Sequence, residues 1–274
     1  MKIESTTYDD TVDFSMVAGT ILFRALQKNC TLQELVISQT TSLSNASATF
    51  SEANETRQAL NGFLANRKSA LTRLEFSNNL TTLEEVELNL LQRHVHLNSF
   101  TLKGMDIRSF KMEKLQENHS LKVLNIINCQ TDIESSKIPN TVEYLDLSHN
   151  SFSCVGEWCK NLHEILPNLR SLTLIRNNCT DITHLAEYIK QTNTLRRLIM
   201  FKGATCSASL VFKLIESGAF EANHSIVECD IIETMRMFTF LDHSRAEKRD
   251  VCMKTVQDCL ERNRSSGRTK SILR

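Results

Sequence analysis

The sequence predicts an α/β solenoid: a right-handed superhelix of β-α coils, horseshoe-shaped, with a parallel concave sheet of about eight strands and helical caps. Three observations point there. A six-residue apolar pattern returns eight times along the chain. Amphipathic helical stretches fill most of the gaps between its copies. Turn formers are scarce, with seven Gly and two Pro in 274 residues, too few for a sandwich or barrel with many tight turns.

The first element is an N-terminal cap over residues 1–31, built on the amphipathic stretch Thr11–Asn29. Phe14, Val17, Ala18, Ile21, Leu22, Ala25 and Leu26 form its expected inner face. The repeats then run over 32–241. Their strand segments read LxxLxL: LQELVI (Leu32–Ile37), LTRLEF (Leu71–Phe76), LNSFTL (Leu97–Leu102), LKVLNI (Leu121–Ile126), VEYLDL (Val142–Leu147), LRSLTL (Leu169–Leu174), LRRLIM (Leu195–Met200) and a degenerate IVECDI (Ile226–Ile231). The steps between starts are 39, 26, 24, 21, 27, 26 and 31 residues. Positions one, four and six of each copy point inward and stack on the next coil, because one coil cannot bury its own apolar face. Helical periodicity is expected in Glu55–Arg67, Thr82–His94, Asp181–Gln191 and Ser207–Phe220. The fourth coil has only INCQTDIESSKIPNT between its strands, too short for a full helix, and should carry an extended or 3₁₀ link. Residues 242–274 form the last element: a C-terminal capping helix over Ser244–Arg264, with Cys252, Val256, Cys259 and Leu260 inward, then a solvated basic tail. A helix that docks on a partner is the alternative for that segment.

The spacing and the LxxLxL pattern resemble the leucine-rich repeat, whose unit is about 20–29 residues. Helices leading through short polar links (QKNCTL, QENHSL, KQTNTL) into each strand look like the ribonuclease-inhibitor-like class, shared with sensor domains of cytosolic innate immune receptors. In that family position nine is usually Asn or Cys, satisfying buried backbone groups at the turn leaving the strand. Here it reads Thr40, Asn79, Met105, Cys129, Asn150, Asn177, Gly203 and Thr234, so the coils of Met105 and Gly203 should be less regular.

The resemblance implies a protein-binding concave face, lined by positions two, three, five, seven and eight. One stretch, TLRRLIMFKG (Thr194–Gly203), breaks the alternation of a half-buried strand, since Leu198, Ile199, Met200 and Phe201 run together. The repeat assigns Leu195, Leu198 and Met200 inward, which leaves Ile199 and Phe201 to face outward beside Ile175 and Ile232. Arg170, Arg176, Arg196, Arg197 and Lys202 flank this expected patch, and the last coil adds Glu228, Asp230 and Glu233. An apolar centre rimmed by both charges is the anatomy of a protein interface. Burial of the patch under the C-terminal cap, and ordinary surface scatter, are the alternatives. A smaller site is expected around Tyr144, His149 and Arg170.

Catalytic signatures are missing. There is no phosphate-binding loop, no dinucleotide fingerprint and no HExxH. His94 and His96 read as a polar loop pair, without the further ligands a metal needs. Cys159 and His163 are four apart, as a thiol and its base would be on a helix, but Trp158, Leu162 and Ile165 suggest a helix that packs on the core. The nine Cys form no CxxC pair and read as free thiols of a reducing compartment. The N-terminus lacks the apolar segment of a secretory signal, and Met16–Phe23 is too short to span a bilayer. With 32 basic and 32 acidic residues, there is no global pull toward nucleic acid or membrane.

These readings converge on a non-enzymatic protein-binding module without cofactor or metal, cytoplasmic, or secreted into a host cytosol as a bacterial virulence effector. A small-GTPase regulator resembling the Ran-activating proteins, and a nucleic-acid binder using the basic C-terminal coils, are the alternatives. The basic end, where the Ran-activating proteins carry an acidic tract, counts against the first.

Overall fold

The structure, a computed structural model, describes residues 2–4, 16–38, 50–66, 70–77, 94–105, 107, 112–129, 133–150, 152, 155–177, 180–201, 207–237 and 243–272. The chain divides into two compact units, Met1–Ile133 with Lys137–Val142, and Glu143–Arg274 with Glu134–Ser136. Both are built from coils with a parallel sheet.

In the first unit the strands are β1 (Lys2–Glu4), β2 (Glu34–Ser38), β3 (Arg73–Ser77), β4 (Ser99–Lys103) and β5 (Val123–Ile127), each pairing in parallel with the next. Their register stacks the repeat on itself. Leu35, Leu74, Phe100 and Leu124 align at position four, and Ile37, Phe76, Leu102 and Ile126 at position six. All eight are buried. One backbone carbonyl per coil also serves its successor: the Gln33 oxygen accepts from the N–H groups of Thr72 and Arg73 at 2.7 and 3.0 Å, and the Thr72 oxygen from those of Asn98 and Ser99 at 2.8 and 3.0 Å. The strand β1 adds a parallel neighbour ahead of the first LxxLxL copy, which the pattern did not anticipate.

Helices α1 (Met16–Leu26) and α2 (Phe50–Leu64) pack on each other, with Phe23 and Phe63 stacked at 6.4 Å. The expected inner face of α1 needs correction. Leu26 is buried as expected, but Leu22 is half-buried and Ile21 and Ala25 face solvent, because the buried stripe is turned round the helix to Thr20, Phe23 and Leu26. Phe14, and the side chains of Val17 and Ala18, lie outside the described residues, as does the helix expected before His94. The third coil carries a 3₁₀ segment over Met112–Glu117 and the fourth another over Ser135–Lys137, the short link its length demands.

In the second unit β6 (Tyr144–Asp146), β7 (Ser171–Thr173), β8 (Arg197–Ile199) and β9 (Glu228–Cys229) pair in parallel with one another in that order. Leu145, Leu172, Leu198 and Cys229 align at position four. The connecting helices are α3 (Val155–Trp158), α4 (Leu162–Ile165), α5 (Thr183–Gln191), α6 (Ala208–Glu216) and α7 (Ala219–Ala222). On α5 the buried Leu185, Tyr188 and Ile189 form the apolar face that the three-and-four spacing requires. The chain then enters α8 (Ile231–Met237) and the long α9 (His243–Ile272).

Helix α9 closes the last coil. Its inward Cys252, Val256, Cys259 and Leu260 are buried as expected. The basic segment after them is not a loose tail: Arg262 to Ile272 remain helical. Arg262 donates to the carbonyls of Glu221, Phe220 and Asn223, and Arg264 Nε to the Val227 carbonyl at 2.9 Å. The Val227 oxygen sits where a further coil would have taken it, just as the Arg196 oxygen accepts from the N–H groups of Val227 and Glu228. Side chains of α9 therefore stand in for the backbone of a missing coil.

Candidate functional site

The open face of the second unit's sheet is laid out in rows by the strand register. Position three aligns Tyr144, Ser171, Arg197 and Glu228, and position five aligns Asp146, Thr173 and Ile199. Tyr144 stands out at 46% exposure, beside the small, buried Ser171 and Thr173. Charges around this floor are paired between coils. Arg170 Nε lies 3.2 Å from Glu143 Oε2, and Arg197 Nε donates to Glu228 Oε1 at 2.9 Å. Arg196 donates to the Ser225 carbonyl at 3.1 Å. Asp146 Oδ1 accepts from the Ser148 N–H and hydroxyl at 2.9 and 2.6 Å, and that hydroxyl accepts from the Ile175 N–H at 3.2 Å.

Two further regularities define the coil. Among the described residues, position eight is left-handed in four coils: Gly104 (φ 66°) and Asn128 (φ 54°) in the first unit, His149 (φ 60°) and Arg176 (φ 55°) in the second. Position nine then turns its side chain onto buried carbonyls. Asn177 Nδ2 donates to Leu147 and Leu174 oxygens at 2.9 and 3.1 Å, Asn150 Nδ2 to Leu147 at 2.8 Å, and Asn177 Oδ1 accepts from the Asn150 N–H at 3.1 Å. Cys129 does the same in the first unit, its thiol reaching the Leu102 and Ile127 oxygens at 3.6 and 3.3 Å. Asn177 and Cys129 each reach the position-six carbonyl of the coil before, while Asn150 bonds that of its own coil.

The fold is a leucine-rich-repeat solenoid.

No protein-family model matches the chain, and no curated protein matches it in sequence. Solved structures with a similar fold include the leucine-rich repeat-containing protein LegL7 from Legionella pneumophila, 16% identical, TM-score 0.42, covering 78% of this chain and 74% of that one. The tropomodulin C-terminal domain of Caenorhabditis elegans is 13% identical, TM-score 0.37, covering 80% and 99%. The actin-binding site 2 of leiomodin-1 is 16% identical, TM-score 0.36, covering 83% and 96%. The register and the position-nine bonds carry the identification.

The expected C-terminal apolar patch is not an open surface of this solenoid. Phe201 is 2% exposed and Ile199 9%. The physical reason lies in the last coil, which becomes helical at Ile231. Ile232 therefore sits half-buried on α8 rather than in a strand, and Glu233 is exposed on the same helix. Asp230, buried at the helix start, accepts from the N–H groups of Met200 and Phe201 at 3.2 and 2.8 Å and ties the end of β8 down. Ile175 is half-buried, while Arg176, Arg196, Arg197, Tyr144 and His149 are exposed. Lys202 lies outside the described residues.

Other candidate chemistry resolves into packing. Among the described residues no cluster of His, Cys, Asp and Glu could hold a metal. Cys159 is fully buried and follows α3, whereas His163 belongs to α4, so the two do not share one continuous helix. Trp158 packs edge-on against Phe152 at 5.7 Å. Burial pushes the thiols of Cys129, Cys252 and Cys259 up, and that of Cys229 up to about 12, away from nucleophilic thiolates. A groove beside α6 and α9 is lined by Ser207, Ser209, Phe212, Lys213, Glu216 and Lys248. Its Lys248 already serves Glu216 and the Phe212 ring.

His94 lies in a connecting segment as expected, but it is not a solvent-facing polar residue. It is 1% exposed, with Nε2 2.7 Å from the Leu64 oxygen. It takes a place that Asn occupies in other coils, three residues before the first inward position. There Asn29, Asn118 and Asn223 each accept from two N–H groups of their own turn, at 2.7 to 3.1 Å. Asn118 and Asn223 also donate back to the carbonyls of His94 and Thr192. The sequence reading saw only polar links here. The recurring Asn in QKNCTL, QENHSL and EANHSI was the available signal.

Proposed function

We propose that this chain is a non-enzymatic module that binds a protein partner on the open face of the second unit's sheet, the face expected to be concave. The observation that carries the reading is the row Tyr144–Ser171–Arg197: an exposed aromatic beside a floor of small side chains, closed by an arginine. Tyr and Arg are the residues that dominate binding energy at protein interfaces, and a small floor admits a side chain between them. Pairing of Arg170 with Glu143 and of Arg197 with Glu228 gives the face charges of both signs, which counts against a phosphate-tracking surface.

The test is affinity capture from native lysate with wild type, Tyr144→Asp, and Gln191→Ala on the exposed side of α5. Tyr144→Asp should lose the captured protein while Gln191→Ala keeps it, with both variants melting at the wild-type temperature. Equal capture by all three would remove this face from the account.

A further inference from the structure

Among the described residues, the left-handed turns at position eight differ in residue type between the two units. In the first, the left-handed turn is filled by Gly104 and Asn128, the residues that tolerate this backbone best. In the second, the same turn holds His149 and Arg176, at φ 60° and 55°. A side chain with a Cβ is strained there, Arg more than His, and glycine is the unstrained choice. The two strained turns are neighbours, joined by the His149 N–H donating to the Ile175 carbonyl at 2.7 Å.

Neither side chain repays that strain inside the molecule. Both residues are exposed, and neither side chain meets a hydrogen-bond or ion-pair partner among the described residues. Their surroundings point the other way: Arg170 and Arg197 are paired with carboxylates, and Asp146 is engaged by Ser148. What remains open here among the described residues is a guanidinium and an imidazole, flanked by the half-buried Ile175. The guanidinium offers five N–H donors and the imidazole at least one in either tautomer. Donors of that kind match a carboxylate acceptor.

We infer that Arg176 and His149 form a donor edge that receives an acidic segment of a protein partner. The inference rests on the protein-binding reading above and names the chemistry of its partner. Strain kept at two adjacent turns, where the first unit fills the same turn with Gly104 and Asn128, marks side chains held for what they contact rather than for the fold.

The experiment uses the full chain and its His149→Gly, Arg176→Gly double variant. Fluorescence anisotropy reads binding of a fluorescein-labelled poly-glutamate peptide, with poly-glutamine and a single-stranded oligonucleotide as comparison probes. Wild type should bind poly-glutamate over poly-glutamine, and the double variant should bind it about tenfold more weakly or worse, as expected for lost charge-assisted hydrogen bonds. The same variant should melt at a higher temperature, which shows that the loss is not unfolding. Equal poly-glutamate binding by both proteins, or none by wild type, overturns the inference. Preference for the oligonucleotide overturns it in favour of a phosphate backbone. In the capture assay, loss with Tyr144→Asp but retention by the double variant leaves the protein-binding face standing and removes this edge from it.

Discussion

At the scale of single residues, the same coil position tolerates different side chains at different physical cost. His94 occupies an asparagine place, and its ring pays in protonation. Burial holds its pKa below the ordinary value of 6.5, since the imidazolium would lose hydration and Nδ1 has no hydrogen-bond partner among the described residues. The contact with the Leu64 carbonyl opposes the shift and does not cancel it. Above about pH 6.5 the ring is neutral in both folded and unfolded chains and adds no pH dependence. As pH falls below that value the unfolded chain takes up the proton and the folded one does not, so stability drops until the depressed folded pKa is reached. His94→Asn should keep the turn, because Asn118 makes the same bonds one coil later, and should flatten denaturation midpoints between pH 6.5 and the depressed folded-state pKa. An unchanged slope in the variant would move the titration elsewhere. The left-handed turns follow the same logic. His149 and Arg176 each carry about 1 kcal/mol of backbone strain that glycine would release.

At the scale of elements, the ladder at position nine is a coupled unit, and coupling can be measured. Asn150 and Asn177 share the Leu147 oxygen, and one donates its backbone N–H to the other's Oδ1. Asn177→Ala leaves the Leu174 oxygen and the Asn150 N–H without these partners in a buried place, a loss of about 2–4 kcal/mol. Asn150→Ala should cost less, because Asn177 still reaches Leu147. The double variant should fall short of the sum by about 1 kcal/mol in a denaturant double-mutant cycle, and strict additivity would mean the two act separately. These elements were legible because apolar positions and Asn recur at fixed offsets: all eight LxxLxL copies contain strands, and the short fourth coil has its 3₁₀ link. The last coil was misread for a local reason. IVECDI looks like a strand, yet Asp230 followed by Glu233 is a helix-start pattern, and the Thr234 N–H donates to the Asp230 carbonyl at 3.0 Å as the first helical bond. That turn withdraws Ile232 from the sheet and engages Asp230 with the end of β8. Pattern alone assigns a direction to Phe201, and only the neighbouring coil decides whether that direction is open.

At the scale of the whole molecule, a solenoid is stable through its neighbours, so each end must be finished by something other than a coil. The amphipathic pattern of Ser244–Arg264 announced a cap, but not how the cap works, because bonds from its polar residues to carbonyls leave no periodic trace. Asn263, 3% exposed, donates to the Asn223 and Ile226 oxygens at 3.3 and 2.8 Å. Asn223 donates to Thr192 one coil earlier in the same way. Asn263 is thus the asparagine of a coil that is never built, and Arg264 replaces that coil's backbone at Val227. Asn263→Ala should destabilise the second unit by about 1–3 kcal/mol, the penalty for the Ile226 carbonyl left without this donor while Arg262 still serves Asn223. The loss should be graded. Nearest-neighbour stacking passes the defect inward, so amide exchange should quicken first in α7 and β9, next in β8, and least in β6. A uniform loss of protection from β9 to β6 would show that the second unit opens as one cooperative block and that the cap acts on all of it at once.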